Sequence, residues 1–215
     1  MITFFNANFD EFDATKNGGD ATTQIESGVA HSFIKAVRAY TAEFGGERWF
    51  KFFIKSDIDI VNIGVDIAKP TLSDSEEVYI GLSNANYESE IDKDNFRAYG
   101  GFYVVGVDEA NKKITADRDV SEFVKADDIV TFYDSDINRI TAMKVDSVDG
   151  ADITFKEWSD KTINVGYSGC STLFFNSLDK DILQPIWLKQ VIPAYTDTME
   201  DPLNEFIINI WYDVK

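Results

Sequence analysis

Apolar residues recur at every second position through much of this chain, and that period restricts its fold more than any other feature. In Arg48–Lys55 (RWFKFFIK), Phe50, Phe52 and Ile54 fall on one face, while Lys51 and Lys55 share the other with Trp49 and Phe53. Val61, Ile63, Val65 and Ile67 alternate with Asn62, Gly64 and Asp66, the pattern of a half-buried strand. Lys69-Pro70 ends that run, and Val78–Leu82 (VYIGL) begins another after the solvated SDSEE turn. Phe206, Ile208, Ile210 and Tyr212 repeat the alternation near the C-terminus. Helical spacing is confined to short stretches. Ser32–Glu43 places Phe33, Ile34 and Val37 on one or two turns before a Gly45-Gly46 stop, and Ser177–Gln184 predicts another short turn before Pro185.

Between Gly100-Gly101 and Asn176 the apolar runs shorten and recur at intervals of about 8 to 12 residues. They are Phe102–Val107, Lys112–Thr115, Asp128–Tyr133, Ile140–Val145 and Asp152–Trp158. The turns between them carry Asp, Asn and Gly where tight reversals need them, and Asp149-Gly150 is the best hairpin signal. The chain is therefore predicted to be mainly β, with few short helices. Residues 1–97 plus 177–215 form a β-sandwich, and residues 98–176 form a second, small β-barrel-like module. The tail is assigned to the sandwich because a lone terminal strand would leave an exposed edge.

Charge bears on partners. With 38 Asp plus Glu against 20 Lys plus Arg, the net charge is −18, which argues against wrapping nucleic acid or lying on an anionic membrane. The acid is mostly aspartate, 25 Asp to 13 Glu, and aspartate prefers turns to helix interiors. An aromatic fraction of 14% excludes a disordered acidic tail. The N-terminus has no basic segment ahead of an apolar run, and no apolar run approaches a membrane span, so a soluble protein made in a reducing cytoplasm is expected. The single cysteine, Cys170, excludes an internal disulfide.

No motif assigns chemistry. His31 is the only histidine and has no GxSxG or HExxH pattern around it. Cys170 lies in YSGCS, read as a Gly/Ser-rich turn, with no basic neighbour to activate it. Asp134-Ser135-Asp136-Ile137-Asn138 begins like a calcium loop, but Arg139 stands where glycine is required and Val145 where glutamate is. Asp117-Arg118-Asp119, Asp127-Asp128 and Ser73–Glu77 are looser still, and the glycine pairs at 18, 45 and 100 are not followed by the Lys-Ser/Thr of a phosphate loop. No catalytic residue, cofactor or metal ligand is assigned. The surplus aromatics remain: Trp49, Phe53, Trp187 and Trp211 are interface candidates, covered either by the rest of the chain or by a neighbouring subunit.

One series of segments resembles a known family. It comprises Gly18-Gly19-Asp20, Phe44-Gly45-Gly46, RWFKFFIKS at 48–56, IVNIGVDIA at 60–68, the 73–82 stretch and, most specifically, PIWLKQVIPA at 185–194. Together these resemble tailed-bacteriophage virion structural proteins over about a third of the chain. The resemblance implies a non-enzymatic virion component, present in many copies and contacting itself and other virion proteins, with no cofactor. The acidic, turn-rich character favours a capsid decoration or cement protein on the major capsid protein, because like charge keeps unassembled copies soluble. A neck or tail component is the alternative. From other classes, a carbohydrate-binding or glycoside-hydrolysing β protein and a soluble host β-sandwich binder remain open.

Overall fold

The computed structural model describes residues 1–26, 39–69, 77–194 and 206–215. His31, the first part of the Ser32–Glu43 segment and Ser73–Glu76 lie outside them. Among the described residues the chain is nearly all β. Its strands are β1 (Ile2–Asn6), β2 (Gly46–Ser56), β3 (Ile60–Lys69), β4 (Glu77–Gly81), β5 (Tyr99–Asp108), β6 (Lys113–Ala116) and β7 (Ile129–Tyr133). They continue as β8 (Arg139–Asp149), β9 (Asp152–Phe155), β10 (Ser168–Ser171), β11 (Leu173–Leu178), β12 (Leu183–Ile192) and β13 (Ile207–Val214). One short α-helix, α1 (Ala39–Phe44), ends at Gly45, whose φ of 72° is the left-handed conformation that closes a helix, and Glu88–Glu90 form a 3-10 turn.

The large sheet runs β1-β2-β12-β4-β5-β10-β7-β8-β9-β6, and an added β5–β6 pairing joins its second half into a ring. That ring of β5, β10, β7, β8, β9 and β6 is a closed barrel, filled by Phe102, Phe132, Val145, Ile153 and Phe155. The first half faces the small sheet β11-β3-β13, and their inner faces meet through Phe52, Ile54, Ile63, Val65, Ile80 and Leu188. Strand β5 belongs to both: its start pairs with β4, its middle with β10 and its end with β6.

Three details differ from the sequence reading. Ser177–Gln184 forms no helical turn; β11 ends there and β12 begins, with Pro185 inside the strand. Proline is tolerated because Pro185 pairs with Phe53 of β2 at a level where β4 has not begun, since that pairing starts at Trp187. Strand β11 pairs with β3, so residues 173–176 belong to the sandwich rather than to the barrel. Finally, SGCS is a strand and not a turn: β10 is buried throughout and is the sixth barrel stave. Its small residues hid it. A Cβ at Gly169 would lie 2.4 Å from the Phe102 ring, so only glycine lets that ring lie against the strand.

The Asp149-Gly150 signal forms the β8–β9 hairpin, pairing Asp149 with Asp152 around Gly150 at φ 59°. A Cβ there meets nothing within 4 Å, so the cost of a side chain is conformational alone. Gly150→Ala is expected to lower stability by about 1 kcal/mol, with Gly150→Asn closer to wild type, in urea unfolding. Equal effects of the two would contradict this reading.

A buried polar seam between the modules

The outer face of β3 is where the two modules touch, and its chemistry departs most from the sequence pattern. The alternation predicts Gly64 and Asp66 on a solvated face, yet only Asn62 is exposed, and Asp66 has no exposed surface. The barrel wall covers it. Tyr133, the last residue of β7, donates its hydroxyl to Asp66 Oδ2 at 2.7 Å, and Trp211 of β13 donates Nε1 to the same oxygen at 2.8 Å. Oδ1 has no hydrogen-bond partner among the described residues; the nearby Thr172 hydroxyl shares a 2.9 Å hydrogen bond with the Thr131 hydroxyl, in which either can donate. Ser168 of β10 adds a second cross-link, donating to the Ala68 carbonyl at 2.5 Å.

Trp211 is held from two directions. A Cβ at Gly64 would lie 2.2 Å from its ring carbons, so the indole lies directly on the glycine backbone. The Arg139 guanidinium of β8 lies 4.3 Å from the ring centroid, a cation–π contact that joins barrel to sandwich. Phe174 of β11 adds a tilted ring at 6.1 Å. The Asp134–Asn138 turn completes the seam. Asp134 Oδ1 accepts from the backbone N–H groups of Asp136 and Asn138, both at 2.9 Å, and Ile137 at φ 63° packs against Ala68, Tyr133 and Cys170. A β-branched residue with positive φ is strained, and here the strain sets an apolar side chain on the junction. The calcium-like spacing is thus turn chemistry: its carboxylate is occupied by the chain's own backbone.

Burial dominates the electrostatics. It pushes the Asp66 carboxyl above its ordinary range, against the opposing pull of Thr172, Tyr133, Trp211 and Arg139. The Tyr133 phenol and the Cys170 thiol are also raised, again chiefly by burial and next by the neighbouring Asp66. Cys170 is fully buried, with Sγ 3.6 Å from the Thr131 carbonyl.

The remaining interface candidates lie on the outer face of the large sheet. Trp49 is 1% exposed, Phe53 7% and Trp187 0%, and the cover is this chain's own. Ile91, Ala85 and Phe96 pack on the two tryptophans, and Gly18 lies close enough that a Cβ would come within 3.1 Å of the Trp187 ring. Asn17 donates to the Trp49 carbonyl and to Glu88, both at 2.7 Å. The Lys51 ammonium lies between these loops, donating to Gly19 O at 3.0 Å and to Asn86 O and Oδ1 at 3.1 Å. Burial pulls its pKa down, with Asp20 and Glu90 opposing. These three aromatics are therefore intrachain core and leave no ring for a partner. Trp211 is half-buried and serves an interface inside the molecule, between its modules.

Sequence reasoning missed Asp66, Tyr133, Arg139 and Ser168. The available signal was Asp66 itself: an acid two residues after a glycine in GVDIA, flanked by apolar residues on both sides. Other acids serve turns and ion pairs, one of them the buried Arg48–Glu11 pair. Asp119 Oδ1 accepts from Ser121 N–H at 2.9 Å, and Asp127, flanked by Lys156 at 2.6 Å and Lys144 at 2.9 Å, is lowered to about 2 by those lysines. A pocket of about 160 Å³ opens between Asn8, Phe9, Thr22, Thr23 and Phe50, and no carboxylate lines it among the described residues. No described helix is long and apolar enough to cross a membrane. Comparison with protein-family models, curated proteins and solved structures returns no match.

Proposed function

We propose that this chain is a non-enzymatic structural subunit of a tailed-bacteriophage virion, acting as a capsid decoration or cement protein that binds capsomer junctions and stabilises the head. The observation that supports the reading is a group of exposed apolar side chains at one end of the sandwich, set in an acidic surface. The surface is acidic and turn-rich, which suits a subunit that must stay soluble before assembly. At the end remote from the Ser168–Ala68 contact, Ile58, Ile182 and Leu183 are 39%, 57% and 40% exposed. Ile58 and Ile182 stand on two turns and Leu183 opens β12; the turns are tied together by Asp181 N–H to Ser56 O at 2.8 Å and Lys180 N–H to Asp59 Oδ1 at 2.7 Å. Apolar side chains exposed among Asp57, Asp59, Asp179 and Asp181 fit a contact with another virion protein.

The carbohydrate reading draws less support. The Trp211 ring lies between Gly64 and Arg139 rather than open to a sugar face, and Asp66 is occupied by Tyr133 and Trp211. In lysates of infected host cells the protein is expected to co-sediment with intact virions in stoichiometric amounts and to stay with heads when tails are removed. Its absence from purified particles would overturn the virion reading. Its retention on separated tails would overturn the head assignment.

A further inference from the structure

We propose that Asp66 is a protonation-controlled clasp between the two modules: as the neutral acid it seals the β3–barrel seam, and as the carboxylate it drives that seam open to water. The inference is independent of the virion reading. It rests on the position of the group: a side chain of the sandwich with no exposed surface, bonded to a barrel hydroxyl and a sandwich indole through one oxygen, with its other oxygen unpartnered. A neutral acid tolerates that arrangement. A carboxylate does not, because an unpaired charge in a dry site must gain water or a donor.

The groups facing Asp66 make the clasp one-sided. Strand β7 presents Tyr133 and β10 presents Cys170, both held neutral by burial. Strand β13 brings the uncharged Trp211 and Asn209, and Thr172, between β10 and β11, adds an uncharged hydroxyl that favours the carboxylate. The Arg139 guanidinium of β8 is the cation favouring ionised Asp66, and it does so from its place on the Trp211 ring. Opening the seam is the route by which Oδ1 gains solvent. The sign follows. A carboxyl raised in the folded state contributes its stability fully below the ordinary aspartate range, and that contribution is lost as pH rises through the folded value. The seam is therefore tight in acid and loosens with alkali.

Cys170 supplies the probe, because it is the chain's one thiol and is fully buried in this seam. Its alkylation by iodoacetamide would be timed from about pH 5 to about pH 9 without denaturant, each rate divided by that of the urea-unfolded chain to remove thiolate ionisation. In wild type the corrected rate is expected to rise by about tenfold or more as Asp66 ionises. Asp66→Asn should stay flat, and Arg139→Gln should move the rise to higher pH. The carbon-13 carboxyl resonance of Asp66 in the wild-type chain gives the ionisation directly and needs no variant to fold. A corrected rate that is flat in wild type, or that rises equally in Asp66→Asn, would overturn the clasp. So would ionisation of Asp66 within the ordinary aspartate range, or a labelling rate that climbs with added urea as steeply as global unfolding does.

Discussion

Trp187→Ala is expected to lower the unfolding free energy by about 3–5 kcal/mol, measured by urea or guanidinium denaturation of the whole chain. The ring is fully buried in the one face of the large sheet that is covered by loops instead of by a second sheet. Truncation would therefore leave a cavity that those loops fill only by moving. It would also take a wall away from Lys51, whose ammonium lies 5.8 Å from the ring centroid and holds the Gly19 and Asn86 backbones together. Trp187→Phe is expected to cost clearly less, because it keeps an aromatic ring and removes an indole N–H that has no hydrogen-bond partner among the described residues. An alanine effect below about 1 kcal/mol would mean that the loops do not form a fixed layer.

Gly64→Ala is the second large effect expected, about 2–4 kcal/mol from the smallest side chain that can be added. Ordinary helix or strand propensity would make alanine the better residue. Here its methyl would lie 2.2 Å from the Trp211 ring, so the indole must shift and its hydrogen bond to Asp66 is lost. The cost then includes an unpaired buried acid as well as the steric clash. A double-mutant cycle isolates the cause: with Trp211→Ala already present, Gly64→Ala should be almost free, giving a coupling of more than about 1 kcal/mol. Simple additivity of the two changes would remove the steric account.

The β character and most of the strands were legible in the sequence because alternation and turn chemistry are local. RWFKFFIK, IVNIGVDIA and VYIGL became β2, β3 and β4, and Asp149-Gly150 made its hairpin. What failed was whatever depended on a distant neighbour. SGCS carries little strand propensity and is a strand only because β5 and β7 flank it. The segment before Pro185 predicts a helical turn, yet Pro185 stands within β12, where that strand has one neighbour and not two. Asp66 read as solvent-facing because period 2 says which residues share a face, not what covers that face. The same limit applies to Trp49 and Trp187: their pattern asked for a cover, and only the fold identified it as residues 17–19 and 85–96 of the same chain.

The placement of β12 also fixes an order of events during synthesis. All six barrel strands lie in one continuous stretch ending at Ser171, with β5 and β10 side by side, so the barrel can close as soon as that stretch has left the ribosome. The sandwich cannot. Its large sheet lacks the strand between β2 and β4 until residues 183–192 appear. Until then, β1–β2 and β4–β5 are two half-sheets with a raw edge facing each gap, flanking a finished barrel. That interval is when the nascent chain is most open to pairing with a stranger, and a helper that binds extended strands would have its best opportunity there.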